Sequence, residues 1–325
     1  MRAIRLHAFG GPEQLVLEHV PDPLPGPGQV RIAVAAAGVH LVDTRLRAGG
    51  DGPFPRPPLP TIPGREVAGV VDALGDGVDP RWLGRRVVAH LGAAPGGYAE
   101  LAVRDVAAVH AIPDGVPADV AVAMIGTGRT ALAVLDRAQI AADDIVLVTG
   151  AAGGLGALFV QAARAAGARV VALAGGARKR AVARELGAEA AVDSRDPDWP
   201  ARVAAALDGA APTVALDGIG GTVGRQALAL LAPGGRLVIH GAASGALTQV
   251  ATDDLQPRGL TVTMALAPGL LQRPGPLRAL EARALAAAAD GRLRPPLTRV
   301  PLHDAAAAHR AIERREAVGK VVLVP

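Results

Sequence analysis

The chain contains no cysteine, only six aromatic residues and only two lysines among its 325 residues. Without thiols there is no disulfide, no thiolate nucleophile and no sulfur ligand for zinc. The aromatics (Phe9, Phe54, Trp82, Tyr98, Phe159 and Trp199) are too few and too scattered to stack single-stranded nucleic acid. They also leave the core to Ala, Val, Leu and Ile. The pI near 10.4 reflects arginine chemistry, because the net charge is only +4. Nucleic-acid binding is therefore not expected. No apolar run reaches about 18 residues, and the opening MRAIRLHAFG has no apolar signal-peptide region, so no membrane association is expected and the cytoplasm is the expected location.

What is present divides by rhythm. The first third alternates as short strands (RAIRL, LVLEHV, QVRIAVAAAGV, EVAGVVDALG, RRVVAHL), punctuated by Pro and Gly in PDPLPGPG and GPFPRPPLPTIPG. From about Ala118 helical segments begin, and strands such as DIVLVTG, ARVVALAGG and GRLVIHGAA alternate with helices. That alternation predicts an α/β domain with a doubly wound parallel sheet. The tail adds a helix, a strand, a helix and a last strand, GKVVLVP. The simplest organisation has a Rossmann domain over 123–267 inserted into a β-rich domain over 1–122 that is completed by 268–325.

VLVTGAAGGLG, residues 146–156, is the strongest local signal. An apolar strand runs through small residues into a helix, with Ala151, Gly153 and Gly156 at the spacing of the dinucleotide fingerprint. Small residues let backbone approach a pyrophosphate, whose charge the helix N-terminus favours. An NAD site places an acid about 20 residues on, to hold the ribose 2′-hydroxyl. Here no Asp or Glu occurs between Asp144 and Glu185. GGARKR stands there instead, with Gly175 and Gly176 followed by Arg178, Lys179 and Arg180. Cations without a carboxylate suit a 2′-phosphate, so the expected cofactor is NADP(H).

At this point the chain resembles a known family, the zinc-independent medium-chain dehydrogenases/reductases of the quinone oxidoreductase (zeta-crystallin-like) group. The resemblance runs along nearly the whole length, through FGGPEQLVLEHVPDPLPGPGQVRIAVAAAGVHLVDTRLRAG, IPGREVAGVV, GRRVVAH, GGYAE, GRTAL, VTGAAGGLG, LDGIGG and AAAAHRAIERREAVGKVVLVP. It implies that the β-rich domain is GroES-like and catalytic, with an active cleft between it and the Rossmann domain. It also implies a homodimer through the edge strand LTVTMALA, 260–267. Zinc-dependent relatives carry a cysteine near the GV of AAAGVHLVD and a histidine in Gly-His-Glu. Here the matching residues are His40 and the run Gly64-Arg65-Glu66, and an arginine repels a divalent cation, so no metal is expected.

The resemblance also implies roles. Ala151, Ala152, Gly153, Gly154, Leu155 and Gly156 would hold the pyrophosphate, while Lys179, with Gly175 and Arg178, would meet the 2′-phosphate. Ser194 stands where the family often has a tyrosine at the adenine end. Gly218 and Ile219 match the loop by the adenine ribose, His240, Gly241 and Ala242 the strand end by the nicotinamide, and Thr130 and Lys320 the cofactor cleft. His40, Asp43 and Arg45 match the acceptor pocket, where Asp43 is either catalytic or a loop organiser and His40 either an acceptor contact or a satisfied loop histidine.

The expected activity is hydride transfer from NADPH to a quinone or an α,β-unsaturated carbonyl. Two other readings stay open. One is an enoyl reductase for carrier- or CoA-bound thioesters, whose phosphopantetheine a basic patch near the cleft mouth, including Arg45 and Arg47, would greet. The other is a non-enzymatic, crystallin-like NADPH-binding protein.

Overall fold

The computed structural model describes residues 1–50, 56–92, 96–266 and 274–325. They form two units, Met1–Gly128 with Glu281–Pro325, and Arg129–Leu280. In chain order, β1 (Arg2–Leu6), β2 (Leu15–His19) and β3 (Gln29–Val39) lead to α1 (Leu41–Arg47). Strands β4 (Glu66–Leu74), β5 (Arg86–His90), β6 (Leu101–Asp105) and β7 (Val109–Ala111) follow. Helices α2 (Ala118–Ala123) and α3 (Arg129–Ala138) are joined through a π-helical turn, Met124–Gly128.

The alternating part runs β8 (Ile145–Thr149), α4 (Gly154–Ala165), β9 (Arg169–Leu173), α5 (Ala177–Glu185), β10 (Ala190–Val192), α6 (Trp199–Ala206) and β11 (Val214–Asp217). It continues with α7 (Gly221–Leu230), β12 (Arg236–Ile239), α8 (Thr252–Leu255) and β13 (Thr261–Met264). The tail holds α9 (Pro274–Ala289), β14 (Leu297–Pro301), α10 (Ala305–Glu313) and β15 (Lys320–Val324).

In the first unit, β1 and β2 form a hairpin, and the remaining strands form a sheet of order β14-β15-β3-β4-β5-β7, with β6 also paired to β3. Alternating apolar residues of β3 and β4 face a core that includes Ile4, Val30, Ile32, Val67, Tyr98 and Leu323. The returning tail matters for function. Strand β15 pairs antiparallel with β3, setting Val321 against Val39, and β4 pairs on the other side, setting Val67 against Ala37. Lys320, His40 and Glu66 therefore arise at the same end of three neighbouring strands.

In the second unit all six strands are parallel, in the order β10-β9-β8-β11-β12-β13. Counted from β8, this is the 3-2-1-4-5-6 order of dinucleotide-binding sheets, which reverses direction between β8 and β11. Helices cover both faces of such a sheet, so its strands read as continuous apolar runs, as IVLVT does at β8. Its core includes Leu147, Val171, Leu173, Ala215, Leu237 and Ile239.

Strand β13 is the sheet edge, and it is shorter than the expected 260–267. Ala267, at the end of that stretch, lies outside the described residues, as does Phe54. The helical run Ala118–Ala138 is long and apolar enough to cross a membrane by length and composition, although no uninterrupted apolar run marks it in the sequence. Most of its residues are buried in the protein interior.

Candidate active site

The glycine turn follows β8. Gly150 takes a positive φ of 62° and its carbonyl accepts from the Gly153 N–H at 2.9 Å, turning the chain into α4. A Cβ at Gly156 would lie 2.3 Å from the Gly150 oxygen, so only glycine lets α4 pack so close to the turn. The residue that makes the turn is thus Gly150, one before the alanine that the spacing singles out. Ala151, in the first-glycine position, is fully buried. The neighbouring loop after β11 is built on Asp217. Its buried carboxylate accepts from Thr149 Oγ1 at 3.0 Å and Thr248 Oγ1 at 2.5 Å, and from the backbone N–H groups of Ile219 and Gly220. Gly218 and Ile219 are held in place by these bonds.

At the end of β12, His240 stacks edge-on to Phe159, with ring centroids 5.0 Å apart. Both of its ring nitrogens are buried without a hydrogen-bond partner. Burial pushes its pKa down to about 4, so the ring is neutral at pH 7. Gly241 and Ala242 continue the chain beyond it, and Thr130 lies half-buried in the first turn of α3.

Around α5 the structure adds a residue pair absent from the sequence reading. Asp193, just past β10, accepts from the Gly176 N–H with both oxygens at 3.2 Å and pairs with Arg195 at 3.0 Å. The hydrogen bonds from Arg195 hold the Asp193 carboxyl well below the usual carboxylate range. The stretch that lacks acids in sequence therefore does have one in space. Arg195 comes with it, as a further cation beside Arg178, Lys179 and Arg180, and its guanidinium lies 3.0 Å from where a Cβ on Gly176 would sit. Ser194 is half-buried between Asp193 and Arg195.

The first unit holds a buried charge cluster. Glu66 is 0% exposed, and its two oxygens face different partners: His40 Nε2 at 2.7 Å and Lys320 Nζ at 3.0 Å, with side chains 25% and 4% exposed. Neither contact is aligned as a hydrogen bond to the carboxylate. Lys320 Nζ also lies 2.8 Å from His40 Nε2, within hydrogen-bonding geometry. Burial pushes the Glu66 pKa up, but His40, Lys320 and His90 outweigh it and hold the carboxyl well below its usual range. Two glycines make room. A Cβ on Gly126, in the π-helical turn, would fall 1.6 Å from Glu66 Oε1, and one on Gly38 would fall 2.2 Å from Oε2. π-Helical turns of this kind are frequent at functional sites.

Beside this cluster runs a hydrogen-bonded chain. Asp43 Oδ2 accepts from the His40 backbone N–H at 2.8 Å and from the Tyr98 hydroxyl at 3.2 Å. His309 Nε2 is 3.1 Å from the same hydroxyl, and burial pushes the His309 pKa down to about 4. With one hydroxyl proton and a carboxylate as the better acceptor, the order is His309 Nε2–H to Tyr98 to Asp43. Asp43 is buried, with Arg65 Nε 3.7 Å away. Arg45 lies half-buried on α1. Arg47, expected at the surface, is instead buried against Glu313 and the Thr44 carbonyl. The return of α10 beside α1 covers it.

Residues 26–114 match the family described as alcohol dehydrogenase GroES-like domain, and residues 154–278 that described as zinc-binding dehydrogenase. The second match lies wholly in the second unit and includes neither His40 nor Glu66. The residues here do not suit zinc: the chain has no thiol, and the Lys320 ammonium sits between His40 and Glu66, where a cation would bind. Among the described residues no group of three or more His, Asp or Glu is arranged to hold a metal ion.

A quinone oxidoreductase of Pseudomonas aeruginosa is 32% identical over 327 residues, covering 100% of this chain and 99% of that protein. A 2-haloacrylate reductase of a Burkholderia species is 30% identical and covers 98% of each chain. The structure of Escherichia coli quinone oxidoreductase complexed with NADPH superposes with a TM-score of 0.87 at 28% identity, over 100% of both chains. Full-length likeness of this order, together with the sheet order and the glycine turn, places the chain in the medium-chain dehydrogenase/reductase superfamily, as a quinone oxidoreductase-like enzyme.

Proposed function

We propose that the enzyme is an NADPH-dependent reductase of quinones or α,β-unsaturated carbonyl compounds. The observation that carries this reading is the charge set at the start of α5, where four cations, Arg178, Lys179, Arg180 and Arg195, stand with the carboxylate of Asp193. A 2′-phosphate suits that excess, and a bare ribose hydroxyl does not need it. In the segment 151–156, the N–H groups of Ala152, Gly154, Leu155 and Gly156 would hold the pyrophosphate, while those of Ala151 and Gly153 fix the turn by bonding to the Leu173 and Gly150 carbonyls. Gly218 and Ile219 would border the adenine ribose, and Gly175 and Ser194 the adenosine phosphate. His240, with two buried ring nitrogens lacking partners, has hydrogen-bonding capacity to offer the nicotinamide together with Gly241, Ala242 and Thr130.

When bound, NADPH supplies a hydride from C4 of its nicotinamide. The chain supplies orientation, exclusion of water and a proton. His40 and Arg45 would face the acceptor. Asp43, bound to Tyr98 and to the His40 backbone, would position His40 rather than touch the acceptor. The 2-haloacrylate reductase among the relatives favours activated alkenes beside quinones. A homodimer through the β13 edge and a cytoplasmic location belong to the same reading.

Stopped-flow oxidation of NADPH and NADH against a panel of quinones and enones tests it. Turnover with NADPH preferred is expected. NADPH binding without turnover of any acceptor would instead favour a binding protein.

A further inference from the structure

The cluster of His40, Glu66 and Lys320 is more than a buried ion pair. Two proton-binding nitrogens, 2.8 Å apart, each face a different oxygen of one carboxylate, at 2.7 Å and 3.0 Å. A lysine ammonium has three protons to donate and no lone pair. While Lys320 is charged, His40 Nε2 must accept from it, and the imidazole proton then sits on Nδ1. If that proton contact is reversed, Nε2–H donates to the Lys320 amine, with Glu66 Oε1 2.7 Å from Nε2. The positive charge can thus move from Lys320 to His40 without leaving its counter-ion. Of the three side chains His40 is the one that reaches solvent, at 25% against 4% and 0%.

We propose that Lys320, Glu66 and His40 form a proton relay that delivers the proton consumed when an alkene acceptor is reduced. The inference rests on the reductase reading above. His40 Nδ1–H gives its proton to the acceptor carbon while a Lys320 Nζ–H proton passes to Nε2. Lys320 is left as a neutral amine that accepts from the new Nε2–H, beside the Glu66 carboxylate. A water proton returning to Nδ1, with the Nε2 proton passing back to Nζ, resets the cluster. Glu66 stays ionised throughout.

The surroundings of the cluster are consistent with this. His90 stands opposite Glu66 in the β4–β5 pairing and accepts from the Gly92 N–H through Nδ1 at 3.0 Å. Arg65 follows Gly64 in the chain and lies toward Asp43 and Tyr98. The π-helical turn Met124–Gly128 presses on Glu66 without adding any charge. Glu66 therefore meets cations or neutral groups on each neighbouring element except for the more distant Asp43.

Two measurements decide the proposal. Nitrogen-15 NMR of the full chain without cofactor should show His40 Nε2 unprotonated in the wild type and protonated in Lys320→Met. The same tautomer in both would overturn the relay. The second is kinetic. A quinone acceptor gives a ring-stabilised oxyanion that takes its proton from water, whereas an enone needs protonation at carbon. In Lys320→Met the ratio of enone to quinone turnover should fall about a hundredfold, the scale of a general acid. The double variant Glu66→Gln, Lys320→Met, which carries no unpaired buried charge, should keep the low ratio. An unchanged ratio in both variants, with an active wild type, would refute the relay alone. A wild type that reduces neither acceptor would remove the reductase reading as well.

Discussion

Acid should destabilise the first unit through His309. Its ring is fully buried, its Nε2 is bonded to Tyr98, and its Nδ1 has no partner. Burial lowers its pKa from 6.5 to about 4. Between these values the unfolded chain binds a proton that the folded chain does not, so stability falls as pH drops through 6.5 and the loss is complete below about 4. The difference between pH 7 and pH 5 comes to about 2 kcal/mol. Trp82 lies in the first unit and Trp199 in the second, so a Trp199→Phe background reports on the first unit alone. Urea titrations followed by Trp82 fluorescence at the two pH values should show the loss. His309→Gln, which can still bond Tyr98, should remove most of it. An equal loss with and without His309 would place the proton uptake elsewhere and rule His309 out as its source.

Further outcomes follow from the same geometry. Lys320→Met leaves Glu66 buried with His40 as its remaining close partner and should lower stability by about 3–5 kcal/mol, while adding Glu66→Gln should recover much of this in denaturant titrations. Gly126→Ala forces a methyl against Glu66 Oε1 and should reduce turnover more than NADPH affinity, as measured by kcat and by cofactor fluorescence. Lys179→Ala should raise the KM for NADPH and leave NADH nearly unaffected; an equal effect on both would remove its phosphate role.

The parallel sheet was legible because its signals are local: short apolar strands, helical periods and a glycine turn that sterics alone explain. The charge set at the start of α5 was legible only in part. The run from Arg178 to Arg180 is contiguous, but Asp193 and Arg195 reach Gly176 through the pairing of β10 with β9, which no spacing rule reveals. The His40–Glu66–Lys320 cluster was less visible still. Its members are brought together by β15 inserting beside β3, a pairing between opposite ends of the chain. Lys320 stood out as one of two lysines, and Glu66 only as the last residue of Gly-Arg-Glu. Arg47 illustrates the opposite case. It reads as a surface cation, but the return of α10 buries it against Glu313.

On the proposed function, this enzyme reduces an electron-poor acceptor with NADPH, selected through the 2′-phosphate. The most direct test is the ratio of kcat/KM for NADPH to that for NADH, with a quinone acceptor, in the wild type and in Lys179→Ala. A strong NADPH preference that collapses in the variant is expected. A wild type that uses NADH equally well would contradict it.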